Sequence, residues 1–280
     1  MTICFNGDME PTTPSDGQLT LAVWQHASVP ADPQANLTAL DAAAAEAAQQ
    51  GANLLITPEM HVTGYNIGEL LPPLARLQPL ERVRDIARRH GIGIVAAGPE
   101  FVTHDDGTEA IFNAAWLIDD TGAVLAKHRK IQLFGALDRD LFIAGDAPVT
   151  LARFRGFAIA MLVCFDVEFP EATRAAALAG ADLIAVPPAQ MEPFSFVNEH
   201  LIRVRAWENG VFLAYANQVG ADGELRYVGR SVIADPLGRH LAEAGVEGSE
   251  LLVATLDLGV SRAARAQSPY LAELRQELFA

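Results

Sequence analysis

The chain has 280 residues and a mass of 30.0 kDa, room for one large α/β core. Half of the residues are hydrophobic, which excludes a disordered chain, and the longest apolar runs, such as Phe157–Cys164 and Val211–Ala216, are too short to cross a bilayer. A formal net charge of −15 excludes the clustered lysines and arginines that a nucleic-acid surface needs, and it disfavours an anionic membrane.

Cys4 and Cys164 are the two cysteines, too far apart for a disulfide scaffold and outside any zinc pattern. Residues 1–18 are rich in Pro, Thr, Asp and Gly and lack a basic segment followed by an apolar run. They read as a loose extension ahead of a single domain over 19–280, in a cytoplasmic protein.

In chain order, Leu19–Gln25 reads as a buried strand and Pro33–Gln50 as a helix stopped by Gly51. Ala52–Thr57 is a strand whose tip carries Pro58-Glu59-Met60. Leu74–His90 is an amphipathic helix stopped by Gly91, and Ile92–Gly98 is a strand. Asn113–Asp119 and Ala123–Arg129 form a hairpin around Asp120-Thr121-Gly122, followed by a loop around Phe134–Pro148. Then come strand Phe157–Cys164, helix Pro170–Ala179, strand Asp182–Val186, helix Ser195–Asn209 and strand Val211–Asn217. A second hairpin, Val232–Asp235 with Arg239–Ala242, precedes a last strand, Leu251–Leu256.

The segment Gly51-Ala52-Asn53-Leu54-Leu55-Ile56-Thr57-Pro58 is echoed by Gly180-Ala181-Asp182-Leu183-Ile184-Ala185-Val186-Pro187. Each is followed by a helix, a glycine and another strand. Two such halves predict two mixed sheets packed face to face with helices outside, a four-layer α-β-β-α sandwich.

Cys164 ends an apolar strand just ahead of a helix that begins at Pro170. A thiol at a strand-to-helix turn lies near free backbone N–H groups, which suits a nucleophile; an inert buried cysteine is the ordinary alternative. None of the seven histidines sits on a catalytic signature, so the proton carrier has to be sought elsewhere. Glu59 stands at the C-terminal tip of a buried strand, where partial desolvation raises a carboxyl pKa; alone it could equally be a solvated loop acid. Lys130 closes the strand Ala123–Arg129, where an ammonium among apolar residues can hold an anionic intermediate or be one charge of a basic strand end.

The segments Thr57-Pro58-Glu59-Met60 with Thr63-Gly64-Tyr65-Asn66, His128-Arg129-Lys130 with Leu133-Phe134-Gly135, and Cys164-Phe165-Asp166 with Phe169-Pro170-Glu171 resemble, in order, the three signatures of the nitrilase or carbon–nitrogen hydrolase superfamily. The resemblance covers roughly Leu19 to the C-terminus. Within that family the chain is most similar to the 5-aminopentanamidase-like aliphatic amidases, through Tyr65-Asn66-Ile67-Gly68, Glu168-Phe169-Pro170-Glu171 and Pro269-Tyr270-Leu271. The resemblance implies a Glu59–Lys130–Cys164 triad, a thioester intermediate, no cofactor, a small amide and water as reactants, and a homodimer or larger assembly. It places Tyr65, Phe165, Glu168 and Met191 against the substrate. The family often has a second glutamate several residues past the lysine; Asp138 stands at about that position, to do its work with a shorter arm or only to cap a loop.

Several family members that act on carboxylate-bearing substrates carry arginine where this chain has Glu168. That substitution predicts a hold on a cationic group and repulsion of carboxylates, the competing expectation being a salt bridge to Arg174. A nitrilase or N-carbamoyl amide hydrolase of the same family, and a non-catalytic interaction protein on the same fold, are the rival readings. Gly91-Ile92-Gly93-Ile94-Val95-Ala96 fits a dinucleotide fingerprint only as letters, because it follows a helix and enters a strand.

Overall fold

The computed structural model describes residues 17–278. All but the last two residues of the expected extension, and Cys4 with them, lie outside that range, and Gln18 already belongs to a strand.

That strand, β1 (Gln18–Gln25), leads to α1 (Pro33–Gln49) and the short β2 (Leu54–Ile56). Asp32 starts α1, its carboxylate accepting the Ala35 N–H at 2.9 Å with Pro33 in the first helical position. Two helices follow, α2 (Leu71–Arg76) and α3 (Leu80–His90), where the sequence reading expected one. Pro79 is the reason for the break: proline disfavours helical backbone in the residue before it, and Gln78 turns to φ 48°. Gly91 then closes α3 in the left-handed conformation, φ 62°.

Strands β3 (Gly93–Thr103), β4 (Glu109–Ile118) and β5 (Val124–Arg129) form a meander. β3 runs five residues beyond its expected end because its pairing with β4 continues to Thr103 opposite Glu109, past Pro99 and past the end of β2. Within the expected loop is a short helix, α4 (Gly135–Arg139). The second half comprises β6 (Leu151–Phe154), β7 (Phe157–Met161), α5 (Pro170–Leu178), β8 (Leu183–Val186), α6 (Ile202–Asn209) and β9 (Phe212–Tyr215). The strand expected to reach Cys164 ends at Met161, and Cys164–Glu168 is a 3₁₀ turn. The helix expected from Ser195 opens as a π turn, Val197–Leu201, before α6. The minor pair β10 (Ala221–Asp222) and β11 (Leu225–Arg226) comes next, then β12 (Val232–Ala234), β13 (His240–Glu243) and β14 (Glu250–Asp257). Helices α7 (Leu258–Gln267) and α8 (Tyr270–Glu273), which the sequence reading left out, close the chain.

The sheets are ordered β14-β1-β2-β3-β4-β5 and β13-β12-β9-β8-β7-β6. In each a parallel trio, β1-β2-β3 or β7-β8-β9, carries antiparallel strands on both sides. The internal echo of the sequence is therefore an echo of topology, down to Gly210, which closes α6 at φ 60° as Gly91 closes α3. Leu21, Leu54, Ile56 and Val95 of the first sheet interleave with Phe157, Ile159, Leu183 and Phe212 of the second. Each such side chain, fully buried, contributes about 1.5–3 kcal/mol. The outer faces are covered by α1 and α3 on one side and α5 and α6 on the other. The result is the expected four-layer sandwich. Among the described residues no helix is long and apolar enough to cross a membrane.

Candidate active site

The chain ends of β2, β5 and β7 meet at one end of the sandwich and deliver Glu59, Lys130 and Cys164 to one place. Glu59 and Lys130 are fully buried and Cys164 is 6% exposed. Lys130 Nζ donates to Glu59 Oε1 at 2.8 Å and lies 2.7 Å from Asp138 Oδ2. Asp138, fully buried on α4, accepts the Tyr65 hydroxyl at 2.8 Å and the Phe134 N–H at 2.8 Å. Asp138 thus holds the N–H that opens the loop into α4 and also faces the ammonium.

The backbone of Glu59, just past β2, is fixed by segments that follow β8 and β9 of the other sheet. Its N–H donates to the carbonyl of Pro188 at 3.1 Å, and its own carbonyl accepts Gln218 Nε2 at 2.9 Å. Burial pushes its carboxyl pKa up, and the charge of Asp138 adds to that, while Lys130 opposes it. Burial alone would lower the Lys130 ammonium; the charges of Glu59, Cys164 and Asp138 outweigh it and hold the pKa above the usual lysine range. The Cys164 thiol is pushed well above its ordinary value, by burial first and by Glu59 second.

Cys164 has φ 48°, a left-handed backbone rare for a residue with a side chain, and its N–H donates to Pro187 at 3.0 Å. This strained turn aims the sulfur into a narrow cleft. All four expected substrate contacts, Tyr65, Phe165, Glu168 and Met191, line that cleft together with Phe134, Gln190 and Phe194. Its free volume is about 10 Å³, room for about one water. A wider depression of about 750 Å³ near His26 and Tyr227 contains none of the triad positions. Chemistry, not size, marks the cleft.

The partner of Glu168 is Gln190, whose Nε2 donates to Oε1 at 3.4 Å, rather than Arg174. Arg205 is near, but it is engaged with Glu208 and with the backbone carbonyls of Val167 and Glu168. Burial raises the Glu168 pKa.

Two buried polar residues were not singled out from the sequence. Asn113 donates from Nδ2 to Glu59 Oε1 at 2.7 Å. Asp166, quoted above only as part of a signature, accepts N–H bonds from Ile131, Gln132 and Val163 and so ties the exit of the lysine strand to the cysteine turn. The available signal was the same for both: a short polar side chain inside an otherwise apolar strand or turn. Among the described residues no cluster of His, Cys, Asp and Glu has the arrangement of a metal site.

The carbon–nitrogen hydrolase family profile matches residues 20–266. The chain is 41% identical over 265 residues to a hydrolase encoded in the pqqF 5′ region of Pseudomonas protegens, covering 93% of this chain and 90% of that one. It is 33% identical to an (R)-stereoselective amidase of a Pseudomonas species, over 80% of each. The crystal structure of an amidase from Nesterenkonia sp. superposes with a TM-score of 0.84 at 38% identity, covering 95% of this chain and 97% of that one. A mutant of the amidase from Nesterenkonia sp. AN1 shows Michael addition of acrylamide at its active-site cysteine. With the sandwich, the signatures and these similarities on one polypeptide, the chain belongs to the carbon–nitrogen hydrolase (nitrilase) superfamily and is a hydrolase of non-peptide carbon–nitrogen bonds.

Proposed function

We propose that this chain hydrolyses a small aliphatic amide to its carboxylic acid and ammonia through a thioester on Cys164. The observation that carries the reading is the burial of one carboxyl, one ammonium and one thiol at three converging chain ends. Glu59 takes the thiol proton as sulfur attacks the carbonyl carbon, so a thiolate never has to persist. Lys130 and the N–H of Phe165, in the first turn of a helix and without a partner inside it, hold the oxyanion. Glu59 then returns the proton to the departing nitrogen and ammonia leaves. Water gives a proton to Glu59, its oxygen attacks the thioester, and the sulfur leaves with that proton, regenerating the thiol and the ionised carboxylate. Asp138 keeps Lys130 aimed at the oxyanion.

Glu168 points to an amide with a distal amino group, such as 5-aminopentanamide. It lines the cleft, and among the described residues its carboxyl is not taken by Arg174 and its one side-chain hydrogen-bond partner is a neutral amide. The rings of Phe134 and Phe194 pack edge to face across the same cleft, so a substrate enters as they turn aside. The resemblance also carries the expectation of a homodimer or larger assembly, which light scattering measures.

Intact-mass trapping tests the reading. The parent chain, acid-quenched during turnover of a panel of amides, should carry an acyl adduct on Cys164 with small aliphatic and ω-amino amides, and Cys164→Ala should carry none. Hydrolysis by Cys164→Ala at the unaltered rate, or an adduct on another residue, would overturn it.

A further inference from the structure

We propose that Asn113 is a positioning residue that confines the travelling proton to one oxygen of Glu59, a proposal that rests on the reading of Glu59 as the proton carrier. Asn113 lies on β4, fully buried, and touches both neighbours. Its Nδ2 donates to Glu59 Oε1 at 2.7 Å and its backbone carbonyl accepts the Lys130 backbone N–H at 2.8 Å. Lys130 Nζ donates to the same Oε1 at 2.8 Å. Two donors converge on Oε1, and a proton placed there would meet an ammonium and an amide N–H. Oε2 is buried and makes no hydrogen bond among the described residues. The proton that leaves Cys164 Sγ therefore forms its new bond at Oε2 as the S–H bond breaks, and the same oxygen returns it to the departing nitrogen.

This assignment separates two jobs that a carboxylate could otherwise exchange by rotating. Oε1 anchors the group and Oε2 carries the proton. Lys130 alone does not enforce that division, since an ammonium can swing between two oxygens, whereas the amide of Asn113 is fixed on a strand whose backbone also holds Lys130. The other titratable groups that act on Glu59 or feel its charge are Asp138, Cys164 and the phenols of Tyr65, Tyr215 and Tyr227. Among the hydrogen bonds of the described residues, none of these donates to Oε1.

The test compares Asn113→Ala and the near-isosteric Asn113→Asp with the unaltered enzyme. Losing a donor to the ionised carboxylate disfavours that form, so the acid limb of kcat/KM should move up by roughly one pH unit in Asn113→Ala, and further in Asn113→Asp, where a second carboxylate faces Oε1. At neutral pH kcat should fall roughly 10- to 100-fold in either variant, with KM changing less than about threefold. A loss that is uniform across pH, or an unshifted acid limb in a variant with native melting behaviour, overturns the proposal. Single-turnover acylation in a Glu59→Gln background gives a second readout: adding Asn113→Ala should cost nothing more there, and the same penalty as in the unaltered enzyme refutes it. If Glu59→Gln alone acylates and turns over normally, the proton-carrier reading itself has failed, which is a different outcome.

Discussion

His128 and Asp166 meet at 3.2 Å, Nε2 to Oδ2, with both side chains fully buried between the strand that ends in Lys130 and the turn that begins at Cys164. The same carboxylate receives Ile131 N–H at 3.0 Å and Gln132 N–H at 2.8 Å on Oδ1, and Val163 N–H at 3.0 Å on Oδ2. One side chain thus sets the separation of two segments that approach from different sheets. Asp166→Ala orphans three backbone donors at once, each costing about 1–3 kcal/mol when buried without a partner. The variant should lose at least about 3 kcal/mol in urea unfolding, together with most of its activity. Asp166→Asn keeps the shape but presents an NH₂ group to a backbone donor, so it should fold and show a lower kcat with little change in KM. An Asp166→Ala midpoint equal to that of the parent chain would show the clamp to be dispensable.

The pH dependence follows from the directions in which the site is pushed. The Glu59 carboxyl must be ionised to accept the thiol proton, and burial, with Asp138, raises its pKa. Activity should therefore be lost as pH falls through a value above the ordinary glutamate range. His61 cannot supply that limb, because burial and the neighbouring His26 bring its pKa down to about 3. On the alkaline side, burial and Glu59 keep the Cys164 thiol protonated beyond the ordinary cysteine range. Alkylation of Cys164 by iodoacetamide should accordingly show no step near about pH 8.5, where a free cysteine ionises. A step there would mean that the thiol behaves as if solvent-exposed and that the coupling to Glu59 is absent.

The three chain ends were legible because each sits in a local pattern, an apolar strand followed by a polar tip, that specifies its surroundings without help from the rest of the chain. Asn113 was not legible. Its contact with Glu59 spans 54 residues of sequence, and a polar side chain in an apolar strand, the one local signal, does not say which partner it meets. The upward push on the thiol pKa was hidden for a related reason: a helix-start turn suggests a lowered pKa, and burial first, then the charge of Glu59, reverse the sign. Helix α7 had a readable start, since Asp257 accepts the Gly259 N–H at 2.6 Å, but the preceding strand runs into that cap with no turn to announce it.

Glu168 sets the expected substrate preference. If its carboxyl faces a distal ammonium, Glu168→Gln should lower kcat/KM for 5-aminopentanamide roughly 10- to 100-fold, by analogy with a lost charge-assisted hydrogen bond, and leave pentanamide nearly unchanged. Glu168→Arg should move preference toward succinamate, because replacing a like charge by an opposite one removes a repulsion of several kcal/mol. Parallel kinetics on the three amides measure this. A parent enzyme that treats 5-aminopentanamide and succinamate alike would discard the role.

Asp138 can be dissected because its two oxygens have different partners. Oδ1 accepts the Tyr65 hydroxyl, while Oδ2 takes the Phe134 N–H and lies against Lys130 Nζ. Asp138→Ala removes one of the two carboxylates that neutralise a fully buried ammonium, a loss worth about 3–5 kcal/mol for a broken buried pair. That variant would weaken the fold and the chemistry together and could not tell a cap from a partner of the lysine. Asp138→Asn can. Its carbonyl oxygen still accepts the Phe134 N–H and so preserves the start of α4, but the negative charge facing Lys130 is gone. If Asp138 only caps the loop, this variant keeps both its melting temperature and its kcat. If it aims Lys130 at the oxyanion, kcat falls by at least about tenfold, the expected cost of a misaligned oxyanion donor, while the melting temperature falls less than in Asp138→Ala because an oxygen acceptor still faces Phe134 N–H and Lys130. The second result is the one expected here, since the 2.7 Å contact to Nζ is as short as any the lysine makes and the cap alone does not require it.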